Sequence, residues 1–153
     1  MGSPDVNDEQ WLHGTVGARQ RRFNFIVVNV GINDIRNDYS AANAFTDLQT
    51  IYNSVLADRD NRLIACTVTP FKGDSGDTAG REAERIALNT SIRGFVAANA
   101  NSYLVDLATI LADPVDPQQY WPAYDLDRLH PNQAGADAMA AAVADKLLAV
   151  GVA

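Results

Sequence analysis

FNFIVVNV, residues 23–30, runs directly into GIND, residues 31–34. The first stretch is β-branched and apolar almost throughout, which suits a strand of a parallel sheet covered on both faces, and Gly31 is where it stops. Beyond it, residues 40–59 bring Phe45, Leu48, Tyr52 and Val55, joined by Ala44, Ile51 and Leu56, onto one helical stripe opposite a polar face. LIACTVT, residues 63–69, reads as a second strand stopped by Pro70; the loop FKGDSGDTAG follows to Gly80, and residues 81–99 read as a helix. SYLVDL, residues 102–107, is a short third strand. The proline-rich loop ADPVDPQQYWPAYDLDRLH, residues 112–130, then leads to an alanine-rich helix over residues 131–150, opened by Pro131.

Strands alternating with helices predict an α/β fold with right-handed crossovers and a parallel sheet covered by helices on both faces. Such sheets place ligand sites at the carboxyl ends of their strands, here the loops after Val30, Thr69 and Leu107. No internal repeat or linker divides the chain. Residues 23–153 read as one domain, preceded by an N-terminal segment of residues 1–22.

Composition narrows the function classes. The 153 residues suffice for a real core, and 47% hydrophobic with 20% charged residues describe a globular chain. A formal net charge of −7, with no basic cluster beyond Arg19–Arg22, argues against a nucleic-acid partner. Cys66 is the one cysteine, so no internal disulfide is expected, and its place in LIACTVT predicts a buried, inert thiol. No apolar run reaches membrane-spanning length, and residues 1–22 lack the charged-then-apolar profile of a signal peptide, so the chain names no compartment.

Two constellations carry chemistry. In DLDRLHPNQAG, residues 125–135, Asp127 stands three residues before His130, and His130 directly before Pro131. A residue before proline is pushed to extended backbone, so His130 is held at a helix entrance where Asp127 can meet its ring. A carboxylate accepting from Nδ1–H fixes the tautomer, leaves Nε2 as a base and stabilises the imidazolium, which is half of a hydrolytic triad. The same spacing suits a helix start with Asp127 as cap and His130 merely exposed. In GIND, Gly31 lets backbone approach a ligand and the Asn33 amide can donate to a developing oxyanion; taken alone, those residues read better as a βα turn using Gly and Asx chemistry, and it is the pairing with the first constellation that favours the oxyanion role.

Taken together, GIND after an apolar strand, TPF (residues 69–71), and DRLHP (residues 127–131) within LHPNQAGADAMA resemble the SGNH, or GDSL-type, serine hydrolases, with their G-x-N-D and D-x-x-H-P blocks in order. The resemblance runs over about residues 23–148. It implies a flavodoxin-like three-layer α/β/α sandwich and an ester hydrolase working by acyl transfer to water through an acyl-serine. Short-chain or carbohydrate acyl esters are the implied substrates. His130 is the implied general base, Asp127 its orienting carboxylate, Asn33 an oxyanion donor and Gly31 the turn that aims it. No metal or organic cofactor is implied.

The chain also departs from that pattern. The family carries its nucleophile in a G-D-S block after a first strand and an oxyanion glycine in a second block, and neither is recognisable in residues 1–22, where His13-Gly14 and Gly17 do not align. The chain reads as a member without its opening βαβ portion. A literal Gly73-Asp74-Ser75 follows the second strand instead. In the family's sheet order that strand and the serine strand flank the GIND strand, which displaces Ser75 by about 10 Å from the usual nucleophile. An exposed polar loop is the expected reading, with Ser75 kept as an outlying candidate. A truncated, non-catalytic module that binds a partner or glycan through the same cleft is the alternative function.

Three further expectations follow. Trp121 and Tyr124 either stack on a sugar or line an acyl pocket, or else pin the long loop to the core. Arg85 and Arg93 read as a solvated helix face. The strand over Phe23–Val30 is interior in the family, so without its neighbour it presents a hydrophobic edge that residues 1–22, with Trp11, Leu12 and Val16 as their main apolar anchors, cover poorly; a homo-oligomer or a complementary chain along this strand is expected.

Overall fold

The structure, a computed structural model, describes residues 23–151. Strand β1 (Asn24–Val28) leads through a short helix α1 (Ile32–Arg36) to α2 (Ala41–Leu56); β2 (Asn61–Cys66) leads to α3 (Ala79–Ala98); β3 (Ser102–Val105) leads to a one-turn helix α4 (Leu107–Ile110), the long loop and α5 (Gln133–Gly151). The sheet has the order β1-β2-β3, parallel throughout, with Val27 beside Ile64 and Ala65 beside Leu104. Helices lie on both sides, as the α/β reading expected.

The period-2 alternation of strand side chains decides which helix covers which face. On one face Val28, Leu63 and Ala65 meet Ala44, Leu48 and Tyr52 of α2 and Leu88, Ile92 and Phe95 of α3. On the other, Ile64, Cys66 and Val105, with Phe25 and Tyr103, meet Met139, Val143 and Leu147 of α5. Burial pushes the Cys66 thiol up to about 11, in keeping with an inert core cysteine. The helix starts carry side-chain caps: the Ser40 hydroxyl accepts the Asn43 N–H at 3.3 Å and the Thr78 hydroxyl the Arg81 N–H at 3.2 Å.

Four expectations need correction. Ile51, counted in the buried stripe of α2, is exposed, because the buried stripe runs through Ala41, Ala44, Leu48 and Tyr52. Arg85 is not on a solvated face: it is buried, paired with Glu82 at 2.6 Å and bonded to the Val68 carbonyl, and Arg93 forks onto Asp106 with both bonds at 2.9 Å. The last helix begins at Gln133 rather than Pro131, because Asn132 takes the cap by accepting the Gly135 N–H at 3.0 Å. Finally, among the described residues β1 is not covered on both faces: Val27 is 43% exposed, whereas Leu63, Ile64 and Ala65 of the central strand are fully buried.

Candidate active site

The site lies at the carboxyl ends of β1 and β2, where a parallel sheet is expected to place one. A cleft of about 180 Å³ is walled by Asn29, Val30 and Ile32 after β1, Val68 and Thr69 after β2, and Tyr120 and His130 from the long loop.

The floor begins with a clamp. Asn89, buried on α3, accepts the Val68 N–H at 2.7 Å and donates to the Val68 carbonyl at 2.8 Å, so the chain leaving β2 is gripped by one side chain. Against Val68 sits Gly31 at φ 119, in the left-handed region, as the first cap of α1. A Cβ at Gly31 would lie 3.1 Å from Val68 Cγ2 and 3.2 Å from Leu88 Cδ2, so both conformation and space require glycine. Asn33 follows within α1, exposed and one residue beyond the cleft wall at Ile32.

The 120–135 loop is tied to itself before it meets the helix. The Leu126 N–H donates to the His130 carbonyl at 3.1 Å, and Arg128, at φ 72, closes the intervening turn. Asn132 donates to the carbonyls of Ala123 and Asp125, and its N–H to that of Tyr124. The buried Tyr120 hydroxyl donates to the Leu129 carbonyl at 3.3 Å. Gly135 makes the packing possible: a Cβ there would lie 2.7 Å from the Tyr124 carbonyl oxygen. Tyr124 therefore pins the loop, while Trp121, edge-on to it at 5.0 Å between ring centroids, stays 43% exposed.

Within this frame Asp127 and His130 meet. His130 Nδ1 is 2.9 Å from Asp127 Oδ2 and 3.2 Å from Oδ1, while Oδ1 accepts the N–H groups of His130 at 2.8 Å and Leu129 at 3.1 Å. The His130 ring beside it and these two N–H groups hold the Asp127 carboxyl down to about 2. An ionised carboxylate only accepts, so the neutral ring carries its proton on Nδ1 and leaves Nε2 bare. Asp127 does not cap α5, since Asn132 does.

Ser75 is exposed and lines no part of the cleft. Its loop is fixed through its neighbours: Asp74 accepts from Arg36 of α1 at 2.8 Å, and the Arg128 guanidinium lies over Gly73. Among the described residues, no hydrogen bond joins the Ser75 hydroxyl to Asp127 or His130, and no serine lines the cleft. A larger cavity of about 550 Å³ lies between α3 and the loop after α4, but its principal polar groups, Glu82, Arg85, Asn89 and Arg93, are already paired. No group of three His, Cys, Asp or Glu side chains among the described residues is placed to hold a metal ion, and no helix among them is long and apolar enough to cross a membrane.

Sequence reasoning missed Asn89, Tyr120, Asn132 and Gly135. Asn132 and Gly135 carried a legible signal, an asparagine cap three residues before a helical glycine. Asn89 and Tyr120 carried none, because their partners are distant backbone groups.

The model of the GDSL-like lipase/acylhydrolase family matches residues 3–138. No curated protein sequence matches the chain. Among solved structures, a GDSL-like lipase from Bacteroides thetaiotaomicron is similar at 21% identity and a TM-score of 0.69, covering 80% of this chain and 61% of that one. A candidate acylhydrolase from Bacteroides fragilis is similar at 20% identity and 0.67, covering 80% and 60%. A candidate arylesterase from Agrobacterium tumefaciens gives 18% and 0.61, covering 83% and 61%. At these identities the structures speak to the fold, and the chain spans about three fifths of their length.

Proposed function

Since the chain belongs to the GDSL-like lipase/acylhydrolase family, we propose that its cleft serves ester hydrolysis, with His130 as general base and Asp127 as the carboxylate that orients it. The observation that carries the reading is the double grip of Asp127, which holds both the ring Nδ1 and the backbone N–H of His130. That arrangement fixes the ring's direction as well as its tautomer, the two things a general base needs before it meets a proton.

In this reading a serine hydroxyl attacks the ester carbonyl and passes its proton to Nε2 of His130. The oxyanion that forms is met by the Asn33 side-chain amide, aimed by the Gly31 turn. Collapse breaks the bond to the alcohol, which leaves with the proton from His130. Water then attacks the acyl-serine with His130 again accepting a proton, and the acid departs as the serine is restored. Asp127 keeps its charge throughout. Short-chain or carbohydrate acyl esters are the substrates the reading favours, the exposed Trp121 face beside the cleft loop suiting a sugar ring.

Hydrolysis of a chromogenic acetate ester by the intact chain, beside His130→Ala and Ser75→Ala, tests this. Any turnover falls by orders of magnitude in His130→Ala and is retained in Ser75→Ala. Turnover that survives His130→Ala overturns the reading. A second reading, a non-catalytic cleft that binds a partner or glycan, is favoured by the lack of a cleft-lining serine among the described residues. It gains if no turnover appears and a serine-directed phosphonate labels nothing.

A further inference from the structure

Helix α1 carries Asn33 but cannot hold itself in place. It has five residues and no side-chain cap at its start, and a helix of that length does not persist in water by itself. Its position comes from what grips it. Ile35 is buried in the core, and two arginine contacts hold the far end: Asp74 accepts the Arg36 Nε–H at 2.8 Å, and Arg81 of α3 forks onto Asp38 with both bonds at 2.8 Å. The Asp38 carboxylate is 73% exposed, so that fork adds little, whereas the Asp74 side chain is only 10% exposed and its bond to Arg36 is the stronger tie.

The loop that makes this tie is Gly73-Asp74-Ser75-Gly76, and each of its glycines lies under an arginine from a different part of the site. At Gly76 a Cβ would lie 3.0 Å from Arg36 Nε and 3.0 Å from Asp74 Oδ2; at Gly73, with φ 87, it would lie 2.9 Å from Nη1 of Arg128. Arg36 ends the helix of Asn33, and Arg128 stands in the turn between Asp127 and His130. The loop is stiff enough to transmit position. Asp74 Oδ2 also accepts the Gly76 N–H at 2.8 Å, Asp77 accepts the Gly73 N–H at 3.0 Å, and the Asp77 N–H donates to the Asp74 carbonyl at 2.9 Å. Its root is Phe71, fully buried. The Ser75 side chain enters none of these contacts and is exposed.

We propose that Gly73–Gly76 is a brace that sets Asn33 against His130, with Asp74 and Arg36 as positioning residues on one side and Arg128 over Gly73 on the other. The proposal rests on the hydrolase reading for what Asn33 and His130 do once they are set. An oxyanion donor and a general base act on one reacting centre, so their separation has to be held to a fraction of an ångström. Among the described residues no hydrogen bond joins α1 directly to the turn at residues 126–130, and the brace touches both. The aspartate and the two glycines of the motif thus carry the role, and its serine is a bystander.

NMR relaxation of the intact chain, beside Asp74→Ala, Arg36→Gln, Arg36→Lys and Ser75→Ala, tests the brace without reference to turnover. In Asp74→Ala the backbone order parameters of residues 32–36 and of residues 126–130 fall together, from about 0.85 to below about 0.6, while those of α2 and α3 stay as they were. Arg36→Gln, which leaves the loop itself untouched, loosens residues 32–36 alone; Arg36→Lys restores them, and Ser75→Ala changes neither segment. Unchanged order in residues 32–36 of both Asp74→Ala and Arg36→Gln overturns the proposal, and so does a turn at 126–130 that ignores Asp74→Ala. Acetate-ester kinetics supply the second readout: kcat falls by about tenfold to a hundredfold in Arg36→Gln with KM within about twofold, and Arg36→Lys recovers most of it. A rise in KM at constant kcat overturns the positioning role. A chain that turns over no ester counts against the hydrolase reading, and the order parameters then decide the brace by themselves.

Discussion

Asn89 grips Val68 by both polar groups of its backbone, at 2.7 Å to the N–H and 2.8 Å to the carbonyl, just where β2 gives way to the cleft. A buried amide that pairs like a strand edge extends the sheet past its last residue. It also seats the Val68 side chain against Gly31, and so fixes the turn that leads to Asn33.

Replacing Asn89 with alanine leaves the buried Val68 N–H without its partner, while the carbonyl keeps Arg85 at 3.1 Å. Stability falls by about 1–3 kcal/mol, the cost of one buried unsatisfied group. Urea unfolding measures it; a loss below about 0.5 kcal/mol means the clamp does not hold the strand end.

Gly135→Ala puts a methyl group 2.7 Å from the Tyr124 carbonyl oxygen, an atom held in place by the Asn132 N–H. Overpacking against fixed backbone costs about 1–3 kcal/mol, although alanine is the better helix former. Thermal unfolding checks the sign: a stabilised variant contradicts the packing described for the loop.

The acid limb follows from Asp127, whose carboxyl is held at about 2 against an ordinary 3.8. A depressed folded-state value contributes stability that is fully present above the ordinary carboxylate range and is lost as pH falls toward about 2. The stability difference between the chain and Asp127→Asn therefore shrinks between about pH 4 and pH 2. A difference that grows on acidification has the wrong sign.

How far the sequence carried this account depends on the range of the interactions. The parallel sheet was legible because the hydrophobic periods of residues 23–107 are local, and Asp127 met His130 because three residues of a turn bring them together. Arg85 was misread: a charged side chain at a helical position looks solvated until Glu82 and the Val68 carbonyl are found beside it. Helix α1 was hidden for a related reason, its five residues being too few to show a period. Val27 reads as core by composition, yet it is exposed on the strand that ends the sheet among the described residues.

The measurement that bears most directly on the whole account is acetate-ester turnover by the intact chain, with His130 present and with His130→Ala. The account predicts turnover that falls by about three orders of magnitude or more when the imidazole is removed. Equal turnover in the two proteins contradicts it.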